Sequence, residues 1–517
     1  MKQYLGLRGR KLEFAIIYGV VMPGFLLFGY NNSIAGGLVE LESWVDTFPI
    51  INGERGGNAA TLQGLAISLY VLGLAISCLM CIYIGPRIGR IRTILLGTGT
   101  FFIGAVIQSA SYSFGQLIVG RLVAGLCLGM ATCTYAVYQQ ETSTGAAYKR
   151  GSLAAIEGVF NTAGLALANW VSLGFSFTKG SISWRFPLAL PIVLALYICL
   201  FCLFLRESPK WLMYKGREPE ARRVMSALTD ASPTAPEVEK ALSDIQASLD
   251  KTKGTHFKDL LQRDGNRLLH RTMIAAAVMF FQQWTGINAV ASYNAALFAQ
   301  IGLDPLLARI LAGAAFTWFT ITSVTPYFLV ERVGRRKLLL ASSIGMSVCM
   351  AVLAGVISVP DNRSALIVGA LFLFLFLTFM GVGFYGIPFF YAAEIAPHAY
   401  RSQITAIAYN FLWTYAFVMA EITPIALTNI SYRYFIVFAA CNAAIAIAVY
   451  LFFPETMSLS LEQIDQIFVE TTGYFDCVKV AERIRKRAVQ AGRDGHVNNA
   501  LEAVEADEVD AEEWKKE

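Results

Sequence analysis

The sequence predicts an all-α membrane protein: twelve transmembrane helices in two six-helix bundles, with a helical insert between them. Three observations predict it. Of 517 residues, 56% are hydrophobic and only 15% are charged, and the mean hydropathy is +0.52, more than a soluble core accounts for. Apolar runs such as "ALIVGALFLFLFLTFMGVG" from Ala365 exceed the roughly 18 residues that a membrane helix needs. The third observation is an echo between the two halves of the chain, described below.

In chain order the apolar segments run 14–37, 59–83, 93–111, 114–138, 152–178, 186–205, 271–299, 306–330, 338–358, 365–392, 402–427 and 433–453. Lys2, Arg8, Arg10 and Lys11 precede a first run that is too long for a signal peptide and lacks a small-residue cleavage site, so it reads as the first span. Short loops on the side of the N-terminus hold Arg87, Arg90, Arg92, Lys149, Arg150, Arg332, Arg335, Arg336, Lys337 and Arg401. The opposite loops hold fewer: Arg55, Lys179, Arg185, Arg309, Arg363 and Arg433. The positive-inside rule then places both termini in the cytoplasm, with the plasma membrane as the expected location.

Residues 206–270 interrupt the spans with "RESPKWLMYKGREPEARRVMSAL", which reads as short amphipathic helices on the cytoplasmic surface. The expected organisation is therefore a bundle at 1–205, the insert at 206–270, a second bundle at 271–453 and a cytoplasmic tail at 454–517. From about Val469 that tail turns polar and acidic and reads as partly disordered. The bundles echo each other. "GPRIGRIR" at Gly85 matches "VERVGRRK" at Val330, Glu141 before Arg150 matches Glu394 before Arg401, and Glu207 in "ESP" matches Glu455 in "PET", all at nearly constant offset. A parallel repeat of two six-helix units is an architecture that exposes a midplane site alternately to either side, which makes transport the leading expectation.

Polar residues within the spans carry the chemistry. "FFQQWTGINAVASYN" from Phe280 places Gln282, Gln283, Asn288 and Asn294 in one membrane segment. At ~1.5 Å of rise per residue, Gln282, Gln283 and Trp413 come near the midplane, with Phe384 and Tyr385 at similar height. Amides both donate and accept, as hydroxyls do, and aromatic rings cover the C–H face of a sugar, so the expected solute is small, uncharged and polyhydroxylated. Interhelical hydrogen bonding is the alternative for any one amide. Arg121 lies deep in span 4 at a height close to that of Asn31 in span 1, so contact between them is expected. Glu157 is too near the cytoplasmic end to meet Arg121 and Glu421 lies in the other half, so both read as bystanders. Arg90, Glu141 and Arg150, with Glu331, Arg335, Glu394 and Arg401, form reciprocal sets on the cytoplasmic rim suited to gating.

The nine cysteines lie mostly in spans and read as packing residues, and His256, His270, His398 and His496 fall outside them, so no metal site is expected. No nucleophile–base pair or phosphate loop points to an enzyme or a cofactor. A net charge of +5 carries no nucleic-acid signal, and a monomer in the lipid bilayer is expected.

These motifs in this order resemble the sugar porter family of the major facilitator superfamily, and the chain looks most like its fungal members. The resemblance runs from Phe14 to Phe468 and rests on "GYNNSIAGG", "GRLVAGLCLGM", Glu141 with Arg150 and Gly151, "SWRFP", "ESPKWL", "QQWTGIN", "ERVGRR", "EIAP", "ITPIAL" and "FPETMSLSLEQI". It implies the major facilitator fold, sugar-hydroxyl contacts from Gln282, Gln283 and Asn288, ring stacking by Trp413, and a substrate site that includes Tyr293 and Phe384. The chain departs from the family at Asn31, where proton-coupled members carry an acid, and at Gly158, Phe319, Ala416 and Pro86, where members often carry Gln, Asn, Asn and Asp. Without a titratable group at Asn31, facilitated diffusion is expected. Proton symport through another acid and a non-transporting sugar sensor are the alternatives, and the short tail weighs against the sensor.

Overall fold

The computed structural model describes residues 3–39, 41–51, 59–143, 147–252, 256–261, 267–300, 302–359, 363–457, 459–473, 475–487 and 490, and among them every regular element is helical. Among the described residues, ten segments are long and apolar enough to cross a membrane: Gly9–Leu38, Ala59–Ile88, Arg90–Ser109, Phe114–Thr142, Ile182–Cys202, Pro305–Thr322, Arg335–Ile357, Ser364–Glu394, Arg401–Asn429 and Arg433–Phe452. The other two of the twelve expected spans are Ala147–Ser176 (span 5) and span 7, which is split into Leu268–Trp284 and Ile287–Gln300. Numbered in chain order with these two, the segments are spans 1 to 12. Span 7 is broken where "TGIN" places Gly286 at φ +97. Span 8 continues past its own break as Thr325–Val333.

Apolar side chains bury in three clusters. One is built mainly by spans 7 to 12, including Met279, Phe316, Phe384, Tyr391 and Phe438. A second joins spans 1 to 4 and span 6 to the insert, whose helices Pro209–Tyr214, Glu218–Thr229 and Pro236–Thr252 bury Trp211, Leu212, Val224, Leu228, Val238 and Leu242 against it. Their charged residues stay outside, as amphipathic spacing dictates. The third lies at the end of the molecule away from the insert and draws on both halves, with Tyr30, Ile34, Trp44, Phe48 and Trp184 beside Tyr293 and Ala420. We call the insert's end the basic face and the other the far face.

Part of the chain beyond Val469, expected as a partly disordered tail, is helical. Helix Leu461–Glu470 begins with a capping box from Ser460 and Gln463, and a further helix at 477–487 buries Cys477, Val480, Ala481 and Ile484. Its acidic composition is concentrated past that helix, in residues that lie outside those described, so overall polarity hid a local amphipathic stripe.

Candidate substrate and gating site

Breaks in the helices release backbone carbonyls, and the predicted site residues bind to them. In span 10 a π-helical turn at Met380–Phe384 leads into "YGIPFF", where Phe389 N–H bonds back to Gly386. That leaves the Tyr385 carbonyl outside the helical ladder, and Gln282 Nε2 donates to it at 3.1 Å. Pro424 in span 11 has no N–H to give Ala420, and Tyr293 OH takes that carbonyl at 3.0 Å. Asn288, in the first turn after the span 7 break, donates to Gln283 Oε1 at 2.8 Å and to Ala416 O at 3.1 Å. Asn442 of span 12 satisfies the Thr285 carbonyl at the same break. The broken segment is thus fixed by side-chain amides, while Gln282 Oε1 stays buried with no partner among the described residues.

Trp413 packs against the apolar clusters of both halves and meets Phe28 edge-on, with ring centroids 5.3 Å apart. Phe384 and its neighbour divide differently from expectation. Phe384 is fully buried inside the C-terminal cluster, at the end of the π-turn. Tyr385 instead reaches toward the other half: a methyl group at Gly158 would come within 4.0 Å of its ring. Phe319, also fully buried, holds that ring from behind in a T-shaped contact of 4.8 Å.

Arg121 does not contact Asn31 as their heights suggest. It is 1% exposed, donates to the carbonyls of Ala66 at 3.0 Å and Ile67 at 3.3 Å, and lies over the Tyr70 ring at 5.1 Å. Asn31 Nδ2 turns back onto the Leu27 carbonyl at 2.9 Å. Equal depth does not make neighbours, since the direction of each side chain around its helix also counts. Glu421 is no bystander either: Ser68 Oγ of span 2 donates to its Oε2 at 2.6 Å across the two halves.

Span 5 also carries polar residues at the seam. Asn169 Nδ2 donates to Ser33 Oγ at 3.0 Å, and Asn161 keeps a buried Oδ1 without a partner among the described residues. The signal used on span 7, amides recurring in an apolar run, was present here as well.

The rim residues assemble within each half. Arg90 binds Glu141 through both Nε and Nη2 at 2.8 Å, Ser208 donates to Glu141, and Glu207 accepts the N–H groups of Arg90, Ile91 and Arg92. Arg335 binds Glu331 at 2.7 Å and Glu394 at 3.0 Å, Thr456 donates to Glu394, and Glu455 accepts the N–H groups of Arg335 and Arg336. Arg401 opens span 11. The Arg150 side chain lies outside the described residues.

A twelve-span molecule with broken helices meeting amides and aromatics at the seam of two halves is built as a secondary transporter. The comparisons agree. The chain matches the sugar (and other) transporter family over residues 17–468, and it belongs to that family. It is 34% identical to the Sugar transporter STL1 of Saccharomyces cerevisiae, over 95% of this chain and 88% of that one. It is 33% identical to the MFS-type transporter oryC of Aspergillus oryzae, over 90% and 87%. The inward-open xylose transporter XylE from E. coli superposes with a TM-score of 0.71 at 21% identity, covering 88% of this chain and 99% of that one, which makes this a major facilitator fold.

Proposed function

We propose that this transporter carries a small uncharged polyhydroxylated solute, a sugar or polyol, by alternating access and as facilitated diffusion. The observation that carries the reading is the midplane seam. Trp413 touches both halves, and Gln282 is fixed through its nitrogen while its oxygen is left to accept a hydroxyl. Gln283, Asn288 and Tyr293 hold the broken segment in place, and Tyr385 faces the opposite half. Several relatives bear names that fit, among them a high-affinity fructose transporter of Schizosaccharomyces pombe. In this reading residues 1–205 and 271–453 rock as two units, the insert and tail lie in the cytoplasm, and the rim clusters of Arg90 and Arg335 hold the cytoplasmic ends of each unit. The plasma membrane is the proposed location, and the unit is a monomer. Facilitated diffusion is supported at Arg121, whose hydrogen bonds go to uncharged carbonyls, and at Asn31, which cannot titrate.

Uptake of a panel of labelled sugars and polyols in a transport-null host tests this reading. One or more should enter, survive a protonophore and stop at equal concentrations. Gln282→Ala should weaken the apparent affinity for that solute by about 5- to 150-fold, the loss of one buried hydrogen bond of about 1–3 kcal/mol. Accumulation that collapses with protonophore would replace diffusion with symport, and unchanged affinity would remove Gln282 from the site.

A further inference from the structure

Several contacts between the halves lie away from the insert, although Thr162 with Ser323 and Asn410 with Ala75 join them nearer the other end. Ser33 Oγ donates to Ala291 O at 3.3 Å, Trp170 Nε1 to Thr317 Oγ1 at 2.9 Å, and Gly36 sits so close to Ser292 that any side chain there would run into its carbonyl. Among them is one carboxylate. Glu421 rests on Gly64 of span 2, where a methyl group would come within 2.9 Å of its carbonyl oxygen and 3.2 Å of its Oε2, and Ser68 one turn on donates to it.

We propose that Glu421 and Ser68 form the latch of the far-face gate, and that Glu421 is the group through which gate opening responds to pH on that side. The proposal rests on the alternating-access reading above. An ionisable group in a membrane span needs a partner, and the partner of Glu421 belongs to the half that must move away. When the halves separate at the far face, Ser68 leaves and water takes its place, so the carboxyl group alternates between a hydroxyl in the seam and bulk solvent. A group whose surroundings change between two states binds protons differently in each, and protons then bias the equilibrium between them.

The groups around Glu421 are few. Tyr293 of span 7 bonds to the carbonyl of the preceding residue, and Tyr434 of span 12 bonds to Thr423 two residues on. Across the seam the charged group is Arg121, which lies over Tyr70 and binds the carbonyls of Ala66 and Ile67, the residues just before Ser68. Span 10 and the first part of span 7 meet span 11 nearer the basic face. Arg121 thus grips the helical turn that carries Ser68, which fixes the hydroxyl without neutralising the carboxylate directly.

Ser292→Cys on the full chain in its membrane reports the gate through labelling by an impermeant maleimide from the far side, with the uptake of the parent lacking that cysteine subtracted. Glu421→Ala and Ser68→Ala should each raise the labelling rate about tenfold. Glu421→Gln keeps an acceptor for Ser68 but cannot titrate. The ratio of its labelling rate to that with Glu421 should change between pH 5 and pH 8, a ratio in which the pH dependence of the thiol reaction cancels. Labelling unchanged in both alanine variants overturns the latch, and a ratio constant across pH overturns its proton sensitivity. Neither readout needs a transported solute, so failure of the uptake panel is distinguishable from failure of this proposal.

Discussion

The two rims carry one device in two versions. In each half a glycine with positive φ, Gly89 at +106 and Gly334 at +100, turns the chain into the next span, and a distant glutamate closes over the new helix N-terminus. In each half an arginine of that span then binds a glutamate at the end of another, and a hydroxyl donates to the same glutamate. The difference lies one turn earlier. The position matching Glu331 is Pro86, so Arg90 gives two nitrogens to Glu141 alone, whereas Arg335 divides itself between Glu331 and Glu394. A shared scaffold thus supports either one locked bidentate pair or one arginine shared between two acids, and a single residue decides which.

The scaffold itself should give the largest effect. Gly89→Ala and Gly334→Ala each force a side chain into a backbone conformation that favours glycine and drive it into the carboxylate of Glu207 or Glu455. Each should cost about 3 kcal/mol, read as lower folded yield and an earlier melt in detergent, because strain and a displaced helix cap add. A melt within error of the parent in both would mean that the caps carry no weight.

The arginines come next. Arg90→Ala leaves Glu141, whose side chain is 9% exposed, with Ser208 alone, while Arg335→Ala leaves Glu394, 23% exposed, with Thr456 and leaves Glu331, 52% exposed, to water. Losing the partner of a buried charge costs more than losing that of a solvated one, so Arg90→Ala should be the more destabilising by about 1 kcal/mol. Equal melts would show that the bidentate geometry adds nothing.

The smallest effect sharpens the comparison. Pro86→Glu supplies the missing acid and should draw Arg90 partly from Glu141, lowering the cost of Glu141→Ala by less than about 1 kcal/mol. The carbonyl that receives Trp211 Nε1 at 3.0 Å is kept. No change in that cost would place the introduced carboxylate out of reach of Arg90.

Much of this was legible in the sequence because it depends on period and count. Long apolar runs are a local pattern, and the membrane-spanning helices appear where that pattern put them. The misreadings share a cause. Depth along a helix follows from residue number, but azimuth depends on how a helix is turned and broken, and at the end of the π-turn Phe384 lies inside the C-terminal cluster while Tyr385 reaches toward the other half. Arg121 and Asn31 lie at one height and point at different neighbours for the same reason.

By itself the sequence determined that the chain enters the membrane, that it does so in two related halves, and which residues carry hydrogen-bonding capacity there, since burial of apolar surface and of charge is decided residue by residue. The tertiary structure decided which capacity is already spent. Gln282 is fixed by a carbonyl that a break in span 10 released, Tyr293 by one that Pro424 left free, and Glu421 by a serine in the opposite half. A buried polar group must find its partner wherever packing leaves one, and packing joins residues that the chain keeps far apart.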